Sequence, residues 1–176
     1  MSTIKNKYIE YSIIVISGFL YTAAFAPIDF KLGIFISLTF FLYILSTSSR
    51  QSSLLKSFIY GIIVYASGVS WIFNSIYYHG GENLIISIII TFLFIVFLSA
   101  FFIPFGYFVN KDTNLNRLDT PILVASIWVL IEFIRSNIFG GFPWLLVGVS
   151  HTGTILKHIF PLFGSLMVSF IIVMIS

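Results

Sequence analysis

The sequence predicts an all-α protein, a polytopic bundle of transmembrane helices with five full spans and a truncated sixth. Hydrophobic residues make up 59% of the 176 residues and charged residues only 9%, whereas a soluble domain usually carries about a quarter charged residues. Six predominantly apolar windows recur along the chain, and a helix needs about 20 such residues to cross the bilayer core. We therefore expect lipid rather than water to surround most of this chain.

The first two predicted spans form a helical hairpin. Residues 8–26 begin as a secretory signal peptide would, because lysines precede an apolar run. We expect this segment to be retained as a span, since apolar windows recur downstream and its small residues run straight into a proline. A short turn at Pro27 and Asp29 then leads into the second span, residues 30–46.

The third predicted span, residues 57–77, follows a polar segment, residues 47–56, that we predict to be a loop. Gly61 and Gly68 lie seven residues apart in this span and therefore share one face of a helix. Small residues on one face let a neighbouring helix approach closely, which favours helix packing in lipid. We expect both glycines to serve such packing.

Prolines mark the fourth and fifth spans. Residues 84–109 are long enough to tilt, or to bend at Pro104, because proline lacks the backbone N–H that a helix interior uses. The polar residues 110–119 close this span. Pro121 suits the first turn of the fifth span, residues 120–137.

A long loop rich in aromatic residues and glycine, residues 139–161, separates the fifth span from the last apolar window. That window, residues 162–176, is shorter than the roughly 20 residues that a full crossing needs. We expect that the sequence is cut off inside this sixth span.

The placement of lysine and arginine predicts that the N-terminus faces the cytoplasm, because cytoplasmic loops hold an excess of these residues. The inner set is then Lys5, Lys7, Arg50, Lys56, Lys111 and Arg117, and the outer set is Lys31, Arg135 and Lys157. With this orientation the unusual segments 25–27, 79–81 and 140–144 all lie on the outer side. We expect the working surface of the protein there.

The composition excludes several kinds of site. The 176 residues contain no cysteine, so they provide no disulfide, no thiolate metal site and no cysteine nucleophile. The net charge of +3 is small and dispersed, and we expect no nucleic-acid partner. His79, His151 and His158 lack the spacing of a metal site, and no cofactor-binding motif occurs. We expect neither a metal nor a cofactor.

Four segments, in this order and spacing, resemble bacterial apolipoprotein N-acyltransferases. They are FAP at 25–27, SGVSWI at 67–72, HGG at 79–81 and EFIRSNIFGGFPWLLVGVSHT at 132–152. The last is the strongest, because it resembles the family's E-x-x-R, GFPW and GYSQ run. It departs from that run in having Gly-Val-Ser-His at 148–151, and Gly153 stands where the family often has an acidic residue.

The resemblance implies a function and a location. Proteins of this family transfer a third acyl chain from a membrane phospholipid, the acyl donor, to the N-terminal cysteine of a diacylglyceryl apolipoprotein, the acceptor. They resemble an eight-helix bundle in the bacterial inner membrane that carries a nitrilase-like catalytic domain on its periplasmic face. The resemblance thus implies that the outer motif loops of this chain face the periplasm.

The resemblance also implies that the chemistry lies elsewhere. The family's catalytic domain uses a Glu, a Lys and a Cys, and the Cys forms a thioester because a thiolate is a strong nucleophile and a good leaving group. The present chain has no cysteine, so no catalytic residue can be assigned in it. We expect residues 1–176 to form a membrane domain without the nitrilase-like domain. We expect this domain to be inactive alone, and the sequence to come either from a longer protein or from a truncated gene.

Five residues are candidates for contact with the lipid substrate. Glu132 and Arg135 have the spacing of an ion pair on one helix face. They either reach the interface as a pair that anchors the helix end or orient a lipid head group or the catalytic domain. Phe142, Pro143 and Trp144 either anchor the loop at the interface or line an entry groove for acyl chains.

Two other functions remain open from the sequence. The chain could be a small channel or transporter subunit, although such proteins usually carry charged residues or broken helices at mid-membrane, and mid-span charges are nearly absent here. It could also be an inactive truncated remnant of the enzyme.

Overall fold

The computed structural model describes residues 2–113 and 119–176, with side chains from residue 7 onward. Arg117 and half of the predicted inner loop, residues 114–118, lie outside the described residues. The described residues form helices and turns without a strand, which confirms the prediction of an all-α bundle.

The helices follow one another along the chain with short connections. They are α1 (Ser2–Ala23), α2 (Leu32–Thr47), α3 (Arg50–Val69), α4 (Ile72–Asn74), α5 (Leu84–Ala100), α6 (Phe102–Phe108), α7 (Thr120–Asn137) and α8 (Phe160–Ile175). A π-helical turn covers Ser75–His79, and 3₁₀ turns cover Ile138–Gly140, Val147–His151 and Ile155–Ile159. Helix α1 packs on α2 and α3, α3 packs on α5 and α6, and α7 packs on α8.

Several of these helices have the length and composition of membrane spans. Within the described part of the chain, the segments long and apolar enough to cross a bilayer are Arg50–Val69, Leu84–Phe108, Thr120–Gly140 and Ile155–Ile175. Leu32–Thr47 is a shorter apolar helix. The membrane character of the chain follows from these helices, and the number of crossings stays a prediction.

Helix α3 begins at Arg50, so the expectation of a loop over residues 47–56 is wrong for most of that segment. The polar side chains there find partners inside the bundle. Lys56, only 2% exposed, donates to a Glu10 carboxylate oxygen and to the Ser48 hydroxyl, each at 2.5 Å. Because a buried charge is tolerated when it is paired, these residues can continue the helix.

Prolines shape the two following helices as the sequence suggests. The fourth span divides at Phe101 into α5 and α6, because Pro104 cannot donate to the carbonyl of Ala100, four residues earlier. Helix α7 has Pro121 in its first turn and ends at Asn137, the same bounds as the predicted span. Helix α8 begins two residues earlier than predicted.

A cluster of aromatic side chains forms the centre of the bundle. Phe41 of α2 stacks on Tyr60 of α3, with ring centroids 3.9 Å apart. Trp128 of α7 meets Phe105 of α6 edge to face at 5.1 Å. Aromatic contacts of this kind add to the free energy of area burial, so the cluster holds helices from both halves of the chain together.

The two glycines of α3 meet different neighbours. A side chain at Gly61 would press on the backbone of Ser99 at 3.0 Å, so this glycine allows α5 to approach. A side chain at Gly68 would instead overlap Leu145, which belongs to the loop between α7 and α8. Gly61 therefore serves helix packing, and Gly68 serves the site described next.

Candidate functional site

A groove of about 940 Å³ opens at one end of the bundle, between α1, α3 and the loop that connects α7 to α8. Three of the sequence motifs meet in it. Its lining includes residues 25–27, then Ser67, Gly68 and Trp71, and finally Pro143 and Trp144. Most of the lining surface is apolar, and its charged members, Asp29 and Lys31, form an ion pair with each other.

Two indole rings flank the groove. The rings of Trp71 and Trp144 lie with their centroids 5.3 Å apart, and the two residues are 44% and 48% exposed. Phe142 does not line the groove, because it packs against Phe94 of α5 at 5.1 Å. Residues 79–81, the HGG segment, are not part of the lining either.

Arg135 lies beneath the loop that lines the groove rather than in the groove. Its side chain is 4% exposed, and Nη1 donates to the carbonyl oxygens of Phe142 and Trp144, both at 2.7 Å. The guanidinium also lies over the ring of Tyr65, 5.6 Å from its centroid. Arg135 thus binds the backbone of its own loop.

Glu132 holds the same loop one turn of helix earlier. Its oxygen Oε1 accepts from the indole N–H of Trp128 at 3.0 Å and from the backbone N–H of Val147 at 2.8 Å. Its oxygen Oε2 makes no hydrogen bond of acceptable geometry within the described residues, although the Ser169 side chain interacts with this carboxyl group.

The structure does not show the predicted ion pair between Glu132 and Arg135. The ion pairs among the described residues are Asp29–Lys31, Arg50–Asp112 and Glu10–Lys56. Glu132 is also only 4% exposed, so the pair does not reach out to the interface. Both side chains instead form hydrogen bonds with the irregular backbone that follows α7, because polar backbone groups in a membrane need partners within the protein.

Two further residues that hold this loop could not be recognised from the sequence. Tyr21 of α1 donates from its hydroxyl to the carbonyl of Leu145 at 2.7 Å. The Ser169 hydroxyl of α8 accepts from the backbone N–H of Gly148 at 2.8 Å. Neither residue belongs to a motif, and only the fold brings them to the loop.

His151 lies at the end of the loop, next to the groove. Its Nδ1 is 2.8 Å from the hydroxyl of Ser150, which lines the groove, and its ring meets Phe35 edge to face at 5.3 Å. The described residues contain no group of three His, Cys, Asp or Glu side chains that could hold a metal ion. Its contacts with Ser150 and Phe35 make the imidazole a packed polar group of the loop.

Comparison with known proteins decides the family. Residues 17–176 match the family model described as the apolipoprotein N-acyltransferase N-terminal domain. The chain belongs to the apolipoprotein N-acyltransferase family. The family resemblance carried by the groove motifs is thereby confirmed.

Named relatives support the assignment. The apolipoprotein N-acyltransferase of Haemophilus influenzae is 34% identical over 159 residues, which cover 90% of this chain and 30% of the relative. That of Methylococcus capsulatus is 34% identical over 148 residues, covering 84% of this chain and 29% of the relative. That of Pasteurella multocida is 26% identical over all 176 residues and 33% of the relative. The chain spans about a third of the length of these apolipoprotein N-acyltransferases.

His151 stands where the apolipoprotein N-acyltransferase motif commonly has glutamine, and we expect it to make stability depend on pH. Burial, and secondly the charge of Lys31, hold the pKa of this imidazole below its ordinary value. The unfolded chain therefore binds a proton more readily, so stability is full above about pH 6.5 and falls as the pH drops. Melting temperatures in detergent between pH 7.5 and 5.5 measure this effect.

The matched control is His151→Gln, which restores the common residue of apolipoprotein N-acyltransferases and cannot titrate. Its melting temperature should fall less than that of the wild type over the same pH range. Equal slopes for the two proteins would contradict the role of His151.

Proposed function

We propose that this chain is the membrane portion of a phospholipid-to-apolipoprotein N-acyltransferase. It holds the lipid substrate in the groove, and a nitrilase-like domain outside these 176 residues performs the acyl transfer. The acyl donor is a membrane phospholipid and the acceptor is a diacylglyceryl apolipoprotein. The protein lies in the bacterial inner membrane with its N-terminus in the cytoplasm, and the groove opens toward the periplasm.

The observation that carries this proposal is the groove itself. Its volume of about 940 Å³ lies within the range of roughly 300–1,000 Å³ that is typical of ligand sites. An apolar lining suits acyl chains, because no polar group of the protein has to lose a hydrogen-bond partner when such a chain lies against it. The groove is built from the motifs at 25–27, 67–72 and 132–152, which also carry the family resemblance.

The two tryptophans of the groove support a position of the groove at the level of the lipid head groups. Tryptophan is enriched at the level of the lipid head groups, and Trp71 and Trp144 are both partly exposed beside the groove. Ser67 and Thr22, which also line it, share a hydrogen bond of 3.0 Å. A lipid in the groove would thus have its head group near the indoles and its acyl chains along the apolar residues.

A chimera tests the proposed function. Residues 17–176 replace the matching segment of the Haemophilus influenzae relative, in a strain depleted of its own N-acyltransferase. We expect the chimera to restore the N-acylation of a lipoprotein, measured by mass spectrometry of its N-terminal peptide. A chimera that accumulates in the membrane and leaves the lipoprotein diacylated would contradict the proposal.

Two serine variants of the chimera test the groove. Ser67→Trp places a large ring in the groove, and we expect it to lower the rate of acylation about tenfold or more, equivalent to about 1.4 kcal/mol of lost binding. Ser126→Trp is the control, because Ser126 is an exposed serine of α7 outside the groove, bonded like Ser67 to the carbonyl four residues earlier. Equal rates for the two variants would show that the groove does not hold the substrate.

A further inference from the structure

We propose that Glu132 and Arg135 are positioning residues that hold residues 142–147 in place as one wall of the groove. They do this through backbone hydrogen bonds and without contact to the lipid. The consequence for lipid binding rests on the function proposed above, whereas the holding of the wall does not.

The wall needs such partners because its backbone is irregular. Residues 142–146 lie between the 3₁₀ turns Ile138–Gly140 and Val147–His151 without forming a helix themselves, and Leu145 has a positive φ of 55°. Helices pair their own backbone groups, but an irregular segment within a membrane protein must find partners for them elsewhere. Leu145 and Val147 are both buried, so water cannot supply hydrogen-bond partners for their backbone groups.

Helix α7 supplies these partners from two adjacent positions on one face. One nitrogen of Arg135 carries two N–H groups, and its hydrogen bonds to the carbonyls of Phe142 and Trp144 use both. Glu132, three residues earlier, accepts from the N–H of Val147. The donor on α7, Arg135, thus meets the carbonyls at the beginning of the wall. The acceptor on α7, Glu132, meets the amide N–H at its end.

Two other helices complete the support of the wall. The Tyr21 hydroxyl of α1 binds the carbonyl of Leu145, and the Ser169 hydroxyl of α8 binds the N–H of Gly148. Side chains of α7 thus provide three hydrogen bonds to the wall and Tyr21 of α1 provides one, while Ser169 of α8 holds the residue that directly follows the wall. Charge-assisted bonds are the stronger kind, and the guanidinium of Arg135 supplies two of them.

The position of the wall decides the shape of the groove. Pro143, Trp144 and Leu145 line the groove, whereas neither Glu132 nor Arg135 belongs to its described lining. Loss of the bonds from α7 would release these lining residues and leave the rest of the bundle in place. A residue that binds the lipid directly would have the opposite effect, because its loss would leave the wall fixed.

Hydrogen–deuterium exchange of the full chain in lipid nanodiscs tests the proposal. We expect Arg135→Met to accelerate exchange about 100-fold in peptides covering residues 142–149, and to leave peptides of α3 unchanged. Arg50→Met is the matched control, because Arg50 forms a half-exposed ion pair with Asp112 at 3.9 Å. It should leave residues 142–149 unchanged. Unchanged exchange in Arg135→Met would overturn the proposal.

Variants of Glu132 separate positioning from a general structural role. Glu132→Gln keeps an oxygen that can accept from Val147, and we expect its exchange to stay near that of the wild type. Glu132→Leu removes the acceptor and should accelerate exchange at the wall. If Arg135→Met or Glu132→Leu unfolds the whole chain, the milder variant Arg135→Lys is measured in its place. We expect its exchange to be about tenfold faster than that of the wild type, and only in residues 142–149. Acceleration spread evenly over α3 would overturn the proposal.

Labelling with a photoactivatable phospholipid distinguishes this proposal from the proposed function. Absence of groove labelling in the wild-type chain would refute the lipid-holding function and leave the exchange results standing. If the wild type is labelled, Arg135→Met should need a higher lipid concentration for half-maximal labelling. Unaltered exchange at the wall would refute the positioning role, whatever the labelling shows.

Discussion

Replacing Gly148 by alanine is expected to lower the free energy of unfolding by about 2 kcal/mol or more. A Cβ at this position would overlap the backbone carbonyl oxygen of Ser165 in α8, which cannot move aside as a flexible side chain would. The shift would also strain the hydrogen bond from the Gly148 N–H to Ser169. Chemical denaturation of the purified chain in detergent measures the loss.

The control for this prediction is Gly153→Ala, five residues away in the same loop. A Cβ at Gly153 would meet no atom within 4 Å among the described residues. The stability of this variant should therefore change by less than about 0.5 kcal/mol. Equal stabilities for the two variants would show that Gly148 is not in close contact with α8.

Replacing Glu10 by alanine is expected to destabilise the opposite end of the bundle by about 2 kcal/mol. Lys56 is 2% exposed and depends on Glu10 and Ser48 for its hydrogen bonds. Removing the carboxylate leaves a buried ammonium group without its counter-charge. Because the Glu10 side chain is itself 37% exposed, we expect less than the full cost of breaking a buried pair.

Two comparisons test this explanation. Glu10→Ala with Lys56→Met should recover most of the stability, since an apolar side chain of similar length removes the buried charge. Asp112→Asn weakens the exposed pair with Arg50, and we expect it to cost less than about 1 kcal/mol. A double variant no more stable than Glu10→Ala would contradict the role of the charge.

The helices were largely predictable because they depend on local properties of the chain. Apolar length and proline placement predicted α7 over residues 120–137 and, for the fourth span, either a tilt or a bend at Pro104, where the structure shows the break between α5 and α6. The beginning of α3 was not predictable in this way, because polarity suggested a loop over residues 47–56. Lys56 is helical there since Glu10, 46 residues away in the sequence, reaches it in the fold.

The site was predictable in its membership but not in its arrangement. The sequence singled out Pro143 and Trp144, and both line the groove, whereas Phe142 packs on Phe94 instead. It also singled out Glu132 and Arg135 but suggested that they pair with each other. Spacing shows that two side chains share a helix face, and it does not show which backbone groups they meet.

The sequence by itself determined that this chain is a bundle of membrane helices and that it belongs to the apolipoprotein N-acyltransferase family. Hydropathy and motif order suffice for both, because each is read along the chain without knowing which distant segments come into contact. Only the tertiary structure decided that residues 25–27, residues 67, 68 and 71, and residues 143–144 line one groove and that α7 holds its wall. That arrangement depends on which distant segments pack against each other and form hydrogen bonds with each other's backbone groups. These contacts exist only once the helices have packed.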